Sequence, residues 1–306
     1  MTQSIDQALV IQFGEMVHLL AQQMGSRMKG RVEEMPVRGN KFTYERLDQV
    51  SAIEVTTRHA ATIAQDITHS RRGGTMRDFR TTLLLDQFDQ LQVLIDPAAD
   101  YARAVARAMM RQYDRLCLEA ALGTVNTGRN LDLPVTAVAD GVATVAASGT
   151  GLTFDKLVEI QRNFVNSEVG LDLEEELYLA ITGEQHADLL KEAELTSRDF
   201  TNSGNASMLA ETVIDRGRIA RACGINLIVF GAGPNINNPL LTKTGSVRNC
   251  IAFAKSGLCV GMNKDISIRV DNRPDLNNAH LVQASLFMDA IRTEGVKVQK
   301  VECVEV

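Results

Sequence analysis

Leu94–Thr124 reads LIDPAADYARAVARAMMRQYDRLCLEAALGT. Apolar residues recur through it at helical spacing, at Tyr101, Val105, Met109, Tyr113, Leu116 and Ala120. Asp96-Pro97 opens the run, with the proline at a first-turn position where its missing N–H is harmless, and Gly123 can end it. The spacing predicts one helix of about 26 residues, roughly 39 Å long at 1.5 Å per residue. Arg103, Arg107, Arg111 and Arg115 repeat every fourth residue, each turned by about 40° from the last, so they form a slowly winding basic stripe. Two readings stand for it: a solvated face with local ion pairs to Asp100, Asp114 and Glu119, or a strip facing an acidic neighbour or nucleic acid.

Upstream, Ile5, Leu9, Phe13, Met16, Val17, Leu20 and Met24 predict an amphipathic helix ending near Gly25, packed on its own domain or reaching a neighbouring subunit. Arg27–Arg80 then carries eleven Lys/Arg against seven acids. Within it, Arg38-Gly39-Asn40-Lys41 separates two alternating runs, one ending at Val37 and one starting at Phe42, which is a hairpin signal. The apolar residues between Glu33 and Thr68 are too scattered to build a core, so this long polar excursion is expected to lie on a partner and to be dispensable for the subunit's own fold.

Downstream, Gly123–Gly151 is a connection or a small strand-and-loop region. Thr153 caps a predicted helix with Leu157, Val158, Phe164 and Val165 on one face. Leu177–Ile181 reads as a buried strand, Thr182-Gly183-Glu184-Gln185 as a capping box, Ile214–Ala222 as helix and Ile225–Phe230 as strand. Cys250–Ala254 and Leu258–Met262 read as a tight β pair about Ser256-Gly257. This alternation predicts an α/β domain. Thr153–Asp199 holds twelve acids and four bases, the opposite sign to Arg27–Arg80, which suggests recognition between subunits by charge. The last fifty or so residues return to β, with alternating Ile266, Ile268 and Val270, an Asn272-Arg273-Pro274-Asp275 turn, an apolar run from His280 to Ile291, and a bulge at Gly295.

The composition narrows function by exclusion. The 306 residues carry 32 Lys/Arg and 38 Asp/Glu, a formal charge of −6, with no Trp, which argues against sequence-reading of nucleic acid. Cys117, Cys223, Cys250, Cys259 and Cys303 are far apart, as expected of free thiols in a reducing compartment, and nothing reads as a secretory signal or membrane span. Ile225–Phe230 followed by Gly231-Ala232-Gly233 begins like a dinucleotide site. The Pro234–Pro239 stretch cannot open the phosphate-binding helix, so an NAD-binding enzyme is a remote alternative. The five histidines show no ligand spacing, and Glu174-Glu175-Glu176 reads as a solvated charge run. No catalytic, cofactor or metal residue is identified, and a structural role is favoured.

The order arm helix, polar β excursion, long helix, α/β domain and returning strands resembles a tailed-phage major capsid protein. So do LAQQMGSRMKG (Leu20–Gly30), HSRRGG (His69–Gly74), LIDPAADYARAVARAM (Leu94–Met109), EAALGT (Glu119–Thr124), GTGLTFDKL (Gly149–Leu157), IAFAKSGLCVGM (Ile251–Met262) and DNRPDLN (Asp271–Asn277). The resemblance implies an α+β chain with the Hong Kong 97-type capsid fold. Residues 1–26 would be the N-terminal arm and 27–82 the extended E-loop hairpin. Residues 83–150 would form the P-domain, with a spine helix over 94–123. The α/β A-domain would span 151–255, and 256–306 would be strands returning to the P-domain.

It further implies self-assembly into hexamers and pentamers of an icosahedral shell around double-stranded DNA, bound without sequence specificity. Assembly would take place in the host bacterial cytoplasm. The chain opens directly at the arm, which implies a separate scaffolding protein; a portal is a further partner, and the family also allows a decoration protein. The Lys–Asn crosslink of the type member has no counterpart residue here. Arg38, Lys41, Arg58, Arg71, Arg72, Arg103, Arg107, Arg111 and Arg115 are the inter-subunit or DNA-facing candidates. The alternative on the same fold is an encapsulin-like nanocompartment shell enclosing a cargo enzyme.

Overall fold

The computed structural model describes residues 23–54, 56–58, 64–85, 98–170, 175–192, 219–232, 240–276 and 279–305. The arm helix, the opening of the long helix at Asp96-Pro97, His59 and the loop through Gly233–Pro239 fall largely or wholly outside them. In chain order the described elements begin with β1 (Glu33–Pro36), β2 (Lys41–Leu47), β3 (His69–Thr75), β4 (Arg77–Leu85) and α1 (Ala98–Leu122). Three short strands follow, β5 (Val125–Thr127), β6 (Leu133–Val135) and β7 (Ala143–Val145), then α2 (Phe154–Asn166), β8 (Leu177–Thr182) and α3 (Gly183–Lys191). The chain ends with β9 (Arg221–Ala222), β10 (Ile225–Phe230), β11 (Lys243–Thr244), β12 (Val247–Ala254), β13 (Leu258–Arg273), β14 (Ala279–Arg292) and β15 (Val298–Val304).

Three sheets result. Their strand orders are β7-β15-β12-β8-β10-β9 with β11 on β12, β1-β13-β14-β4, and β2-β3-β5-β6. The chain divides into two compact units, one of Arg27–Arg77, Tyr113–Asn263 and Met288–Val306, the other of Met1–Ser26, Asp78–Gln112 and Lys264–Phe287. In the second, Val105 and Met109 of α1 and Val282 and Leu286 of β14 are buried, and Ser267 and Ser285 hydroxyls meet at 2.9 Å across β13 and β14.

The core of the first unit forms on the largest sheet. All six positions of β8 are buried, as a continuous apolar run predicts for a strand covered on both faces. It lies between parallel β10 and antiparallel β12. Gln185 Oε1 accepts the Thr182 N–H at 3.0 Å, so the capping box starts α3 where the sequence places it. The α2 face differs from expectation. Leu157, Ile160 and Phe164 enter the core, while Val158 is 47% and Val165 39% exposed. The buried positions Lys156, Ile160 and Phe164 recur every fourth residue, so the apolar stripe follows that row rather than the two valines.

Four other expectations are corrected. Val37 and Phe42 do not flank a hairpin: β1 runs parallel to β13, and β2 pairs antiparallel with β3. The chain turns at Gly39, whose φ is +113°, and changes sheets there. Likewise β12 and β13 are not partners, because the 3-10 turn Lys255–Gly257 carries the chain from one sheet into another. The end of the predicted 214–222 helix is strand β9, paired with β10 through Ala222–Ile225, and residues 214–218 lie outside the described set. Gly295 lies in the β14–β15 connection, not in a strand bulge, and a Cβ there would collide with the Asp140 carbonyl.

Buried charges fasten this unit together. Asp140 takes the Arg72 guanidinium in two contacts, one of 2.6 Å, and Arg292 Nε at 2.7 Å. Arg292 is fully buried, and its Nη1 also donates to the carbonyls of Ala121 and Gly123, at 2.9 and 3.0 Å, closing the end of α1. Burial alone would raise the Asp140 carboxyl, but hydrogen bonds from Arg72 and Arg292 hold it below its ordinary value. Lys156 Nζ lies 2.8–3.1 Å from the carbonyls of Ala147, Thr150, Gly151 and Glu302. Near the C-terminus, Arg248 grips both Glu305 oxygens at 2.8 and 2.9 Å, with Gln185 Nε2 at 2.9 Å and Lys243 Nζ at 3.0 Å. Burial works against the ionised form, yet Arg248, Gln185 and Lys243 bring Glu305 down to about 2 from 4.5.

Phe164→Ala should therefore destabilise by about 3–5 kcal/mol, as buried Phe truncations do. Val165→Ala should change stability by no more than about 0.5 kcal/mol. Denaturant melts of the two variants check which face of α2 is inside. A carboxyl lowered in the fold contributes stability above its unfolded value and loses it as pH falls through the folded value. Acid titration of melting temperature should thus fall progressively between about 4.5 and about 2. Glu305→Gln should melt lower at neutral pH and show a flatter slope across that window.

Candidate inter-subunit surface

The polar excursion is built as a ladder with an anchored base and an exposed end. β2 and β3 pair through seven positions, from Lys41–Thr75 to Leu47–His69, and Asp48 N–H adds a bond to the Thr68 carbonyl at 3.1 Å. At the base Phe42 is 4% exposed, and two glycines make room for its ring. A Cβ on Gly74 or on Gly261 would come within 2.7 Å of it. Val37 and Phe42 thus pack in the subunit's own core and β1 pairs with β13, so the apolar residues at the start of Glu33–Thr68 are not all left for a partner. At the far end the described residues carry exposed apolar side chains: Leu47 is 65%, Val50 49%, Ile53 51% and Ile67 46% exposed.

The excursion is also fixed where it begins. Asp114 is fully buried and accepts the backbone N–H of Arg27 at 2.9 Å and of Met28 at 3.1 Å. Tyr113 donates its hydroxyl to Glu34 at 2.9 Å, and burial, with Cys117 and Glu34 beside it, pushes that hydroxyl well above its ordinary value. Asp114 is therefore no member of a solvated ion-pair face on α1. Asp100, the other upstream acid considered, has its side chain outside the described residues.

The candidate residues separate by environment. Arg38, Lys41 and Arg58 are exposed, the first two at the turn into β2 and the third in the loop beyond the ladder. Arg71 is paired across the strands with Glu45, Nε to Oε1 at 3.1 Å, an exposed pair worth no more than about 1 kcal/mol. Arg72 is placed otherwise than its neighbours in sequence suggest: it is 2% exposed and held by Asp140 inside the subunit. Arg103 is exposed on α1, while Arg107, Arg111 and Arg115 are half-buried. Burial, and then Arg107, lower the Arg111 guanidinium's pKa, so the stripe brings like charges close together.

Sequence reasoning missed Lys156, Asp140, Arg292 and the Arg248–Glu305 pair. Lys156 had a signal, lying four residues before Ile160 on the apolar row of α2. Arg292 had a weaker one, a charge closing the apolar run of β14. All five cysteines are free thiols, four of them buried. Among the described residues no group of three or more His, Cys, Asp or Glu could hold a metal, and no helix is long and apolar enough to cross a membrane.

The family model for phage capsid proteins matches residues 5–305. No curated protein matches the chain significantly. Among solved structures, the capsid of cyanophage P-SCSP1u is similar at a TM-score of 0.72 and 14% identity, over 99% of this chain and 95% of that one. The acid-stable capsid structure of Helicobacter pylori bacteriophage KHP30 gives 0.71 at 9% identity, over 99% and 97%. A chain of Mycobacterium phage Che8 gives 0.66 at 15% identity, over 94% and 95%. At such identities the likeness to these structures is one of fold, and the family match covers nearly the whole sequence. The chain belongs to the phage capsid protein family: it is a tailed-phage major capsid protein of the Hong Kong 97-type fold, forming the icosahedral shell.

Proposed function

We propose that the β2–β3 ladder and the loop beyond it are the E-loop, which lies across a neighbouring subunit as the shell closes around double-stranded DNA. The observation that carries this reading is the contrast along one segment. Phe42 is locked in the subunit, while Leu47, Val50, Ile53 and Ile67 are exposed. Apolar side chains on a two-stranded ribbon gain burial only from another molecule, at about 25 cal/mol for each Å² removed from water. In this reading residues 83–150 and 256–306 make the P-domain and 151–255 the A-domain, which packs at the five- and six-fold axes. The subunit performs no catalytic step. A separate scaffolding protein and a portal complete assembly in the host cytoplasm, and DNA is held through its phosphates without base readout.

The α1 stripe is proposed to face an acidic neighbour or the packaged DNA. Four arginines at four-residue spacing, with burial and then Arg107 lowering the pKa of Arg111, favour an anionic surface opposite them.

Replacing residues 49–66 with a short Gly/Ser linker should keep cooperative melting of the remainder and abolish closed particles, as seen by sedimentation and electron microscopy. Regular shells from that variant would overturn the E-loop reading, and an unfolded variant would place the segment in the subunit's own core. For the stripe, single Arg→Ala changes at 103, 107, 111 or 115 should shift subunit stability by no more than about 1 kcal/mol. The quadruple variant should lower particle yield or packaged DNA, and normal yields of full particles would refute the assignment.

A further inference from the structure

β5 pairs with β3 only at Arg72–Thr127 and Gly73–Asn126, so beyond Arg72 that edge of β3 pairs with no strand among the described residues. An open cleft of about 710 Å³ occupies this place, between the β2–β3 ladder and the turn joining β5 to β6. Four arginines line it, Arg46, Arg71, Arg72 and Arg129, against two carboxylates, Glu45 and Asp140. Both carboxylates are already engaged, Glu45 by Arg71 and Asp140 by Arg72 and Arg292. Arg46 and Arg129 have no ion pair among the described residues, although Asp140, Glu294 and Asp48 lie close enough to act on Arg46.

The donors in the cleft are incomplete as well. Arg46 Nε, Ser70 Oγ and Arg72 Nε are buried and make no hydrogen bond with the described residues, although Arg72 as a whole is only 2% exposed. Buried polar atoms are nearly always satisfied, and three orphans on neighbouring positions of β2 and β3 call for one shared partner. Arg46 and Ser70 are directly opposed across the ladder, as are Tyr44 and Arg72, so all three donors lie on one face. Burial and the nearby Arg72 lower the Arg46 guanidinium's pKa, against the opposing pull of Asp140, Glu294 and Asp48, and an anion between the two arginines would raise it.

The geometry points to a binding site for an oxyanion of the phosphate class, held by Arg46, Ser70 and Arg72 from the strands and by Arg129 from the turn. Guanidinium forks match such oxygens in charge and in direction. Water could fill the donors but would leave Arg46 and Arg129 without an ion pair; a cation has the wrong sign, and an apolar group would leave the donors unmet. The phosphate could be the free ion or a nucleic-acid backbone group. The site follows from one subunit alone and does not rest on how subunits pack.

The test is calorimetric titration of inorganic phosphate into the purified full-length protein at constant ionic strength, with chloride as the control anion. Saturable binding near one phosphate per subunit is expected. Arg129→Gln, at an exposed turn, and Arg46→Gln, its fold checked by melting in chloride, should each weaken it about tenfold, which corresponds to about 1.4 kcal/mol. Arg269→Gln, an exposed arginine of β13 outside the cleft, should leave it unchanged. Absence of saturable binding, or equal binding by both cleft variants and the wild type, overturns the proposal. With binding established, a short duplex oligonucleotide that displaces phosphate identifies the backbone as the source, and one that does not identifies the free ion.

Discussion

Asp140, held between the buried guanidiniums of Arg72 and Arg292, is the contact on which the larger unit is arranged. It joins three places far apart in sequence: β3 at the base of the excursion, the β6–β7 connection that carries Asp140, and the end of β14. Through Arg292 Nη1 it also reaches the last carbonyls of α1. A buried triad of this kind contributes little net stability when complete, because desolvation offsets most of the attraction. Losing one member leaves a buried charge without a counterion, at about 3–5 kcal/mol. Glycine at 295 belongs to the same arrangement, since any side chain there would displace the Asp140 carbonyl.

From this centre the excursion leaves with a defined direction. Phe42 between Gly74 and Gly261, and Asp114 beneath the Arg27–Met28 turn, fix where it starts. The seven-residue β2–β3 ladder then carries it outward. A rigid base and an exposed end suit a protein whose product is a surface made by many copies. In the proposed reading, the base would set the angle at which a neighbour is met, and the exposed apolar residues would provide the burial that holds it.

Likeness of fold at 9–15% identity is understandable in the same terms. A fold held by strand pairing and core packing dictates few side chains individually. Many sequences satisfy such a fold, because cores tolerate hydrophobic exchange when volume and pattern are kept.

The sequence by itself determined the elements whose signals are local. The long helix, strands β8, β10 and β14, the Thr182–Gln185 cap and the turn after Arg273 are legible in periodicity and in residues such as Thr182 or Pro274, whose preferences act within a few positions. Their order, with its collinear motifs, was enough to indicate the capsid family. Only the tertiary structure decided which strands pair. Val37–Phe42 and Ala254–Leu258 look like hairpins because adjacent strands with a glycine turn usually are, yet each turn passes the chain to a different sheet. It likewise decided that Arg72 is interior while Arg71 is not, since an alternating strand says that neighbours face opposite sides but not which side is covered. Val158 and Val165 lie outside for a related reason: apolar residues on one helix are equal until a sheet packs against some of them. Pairing and burial depend on contacts between residues far apart in the chain, and no window of sequence contains both partners.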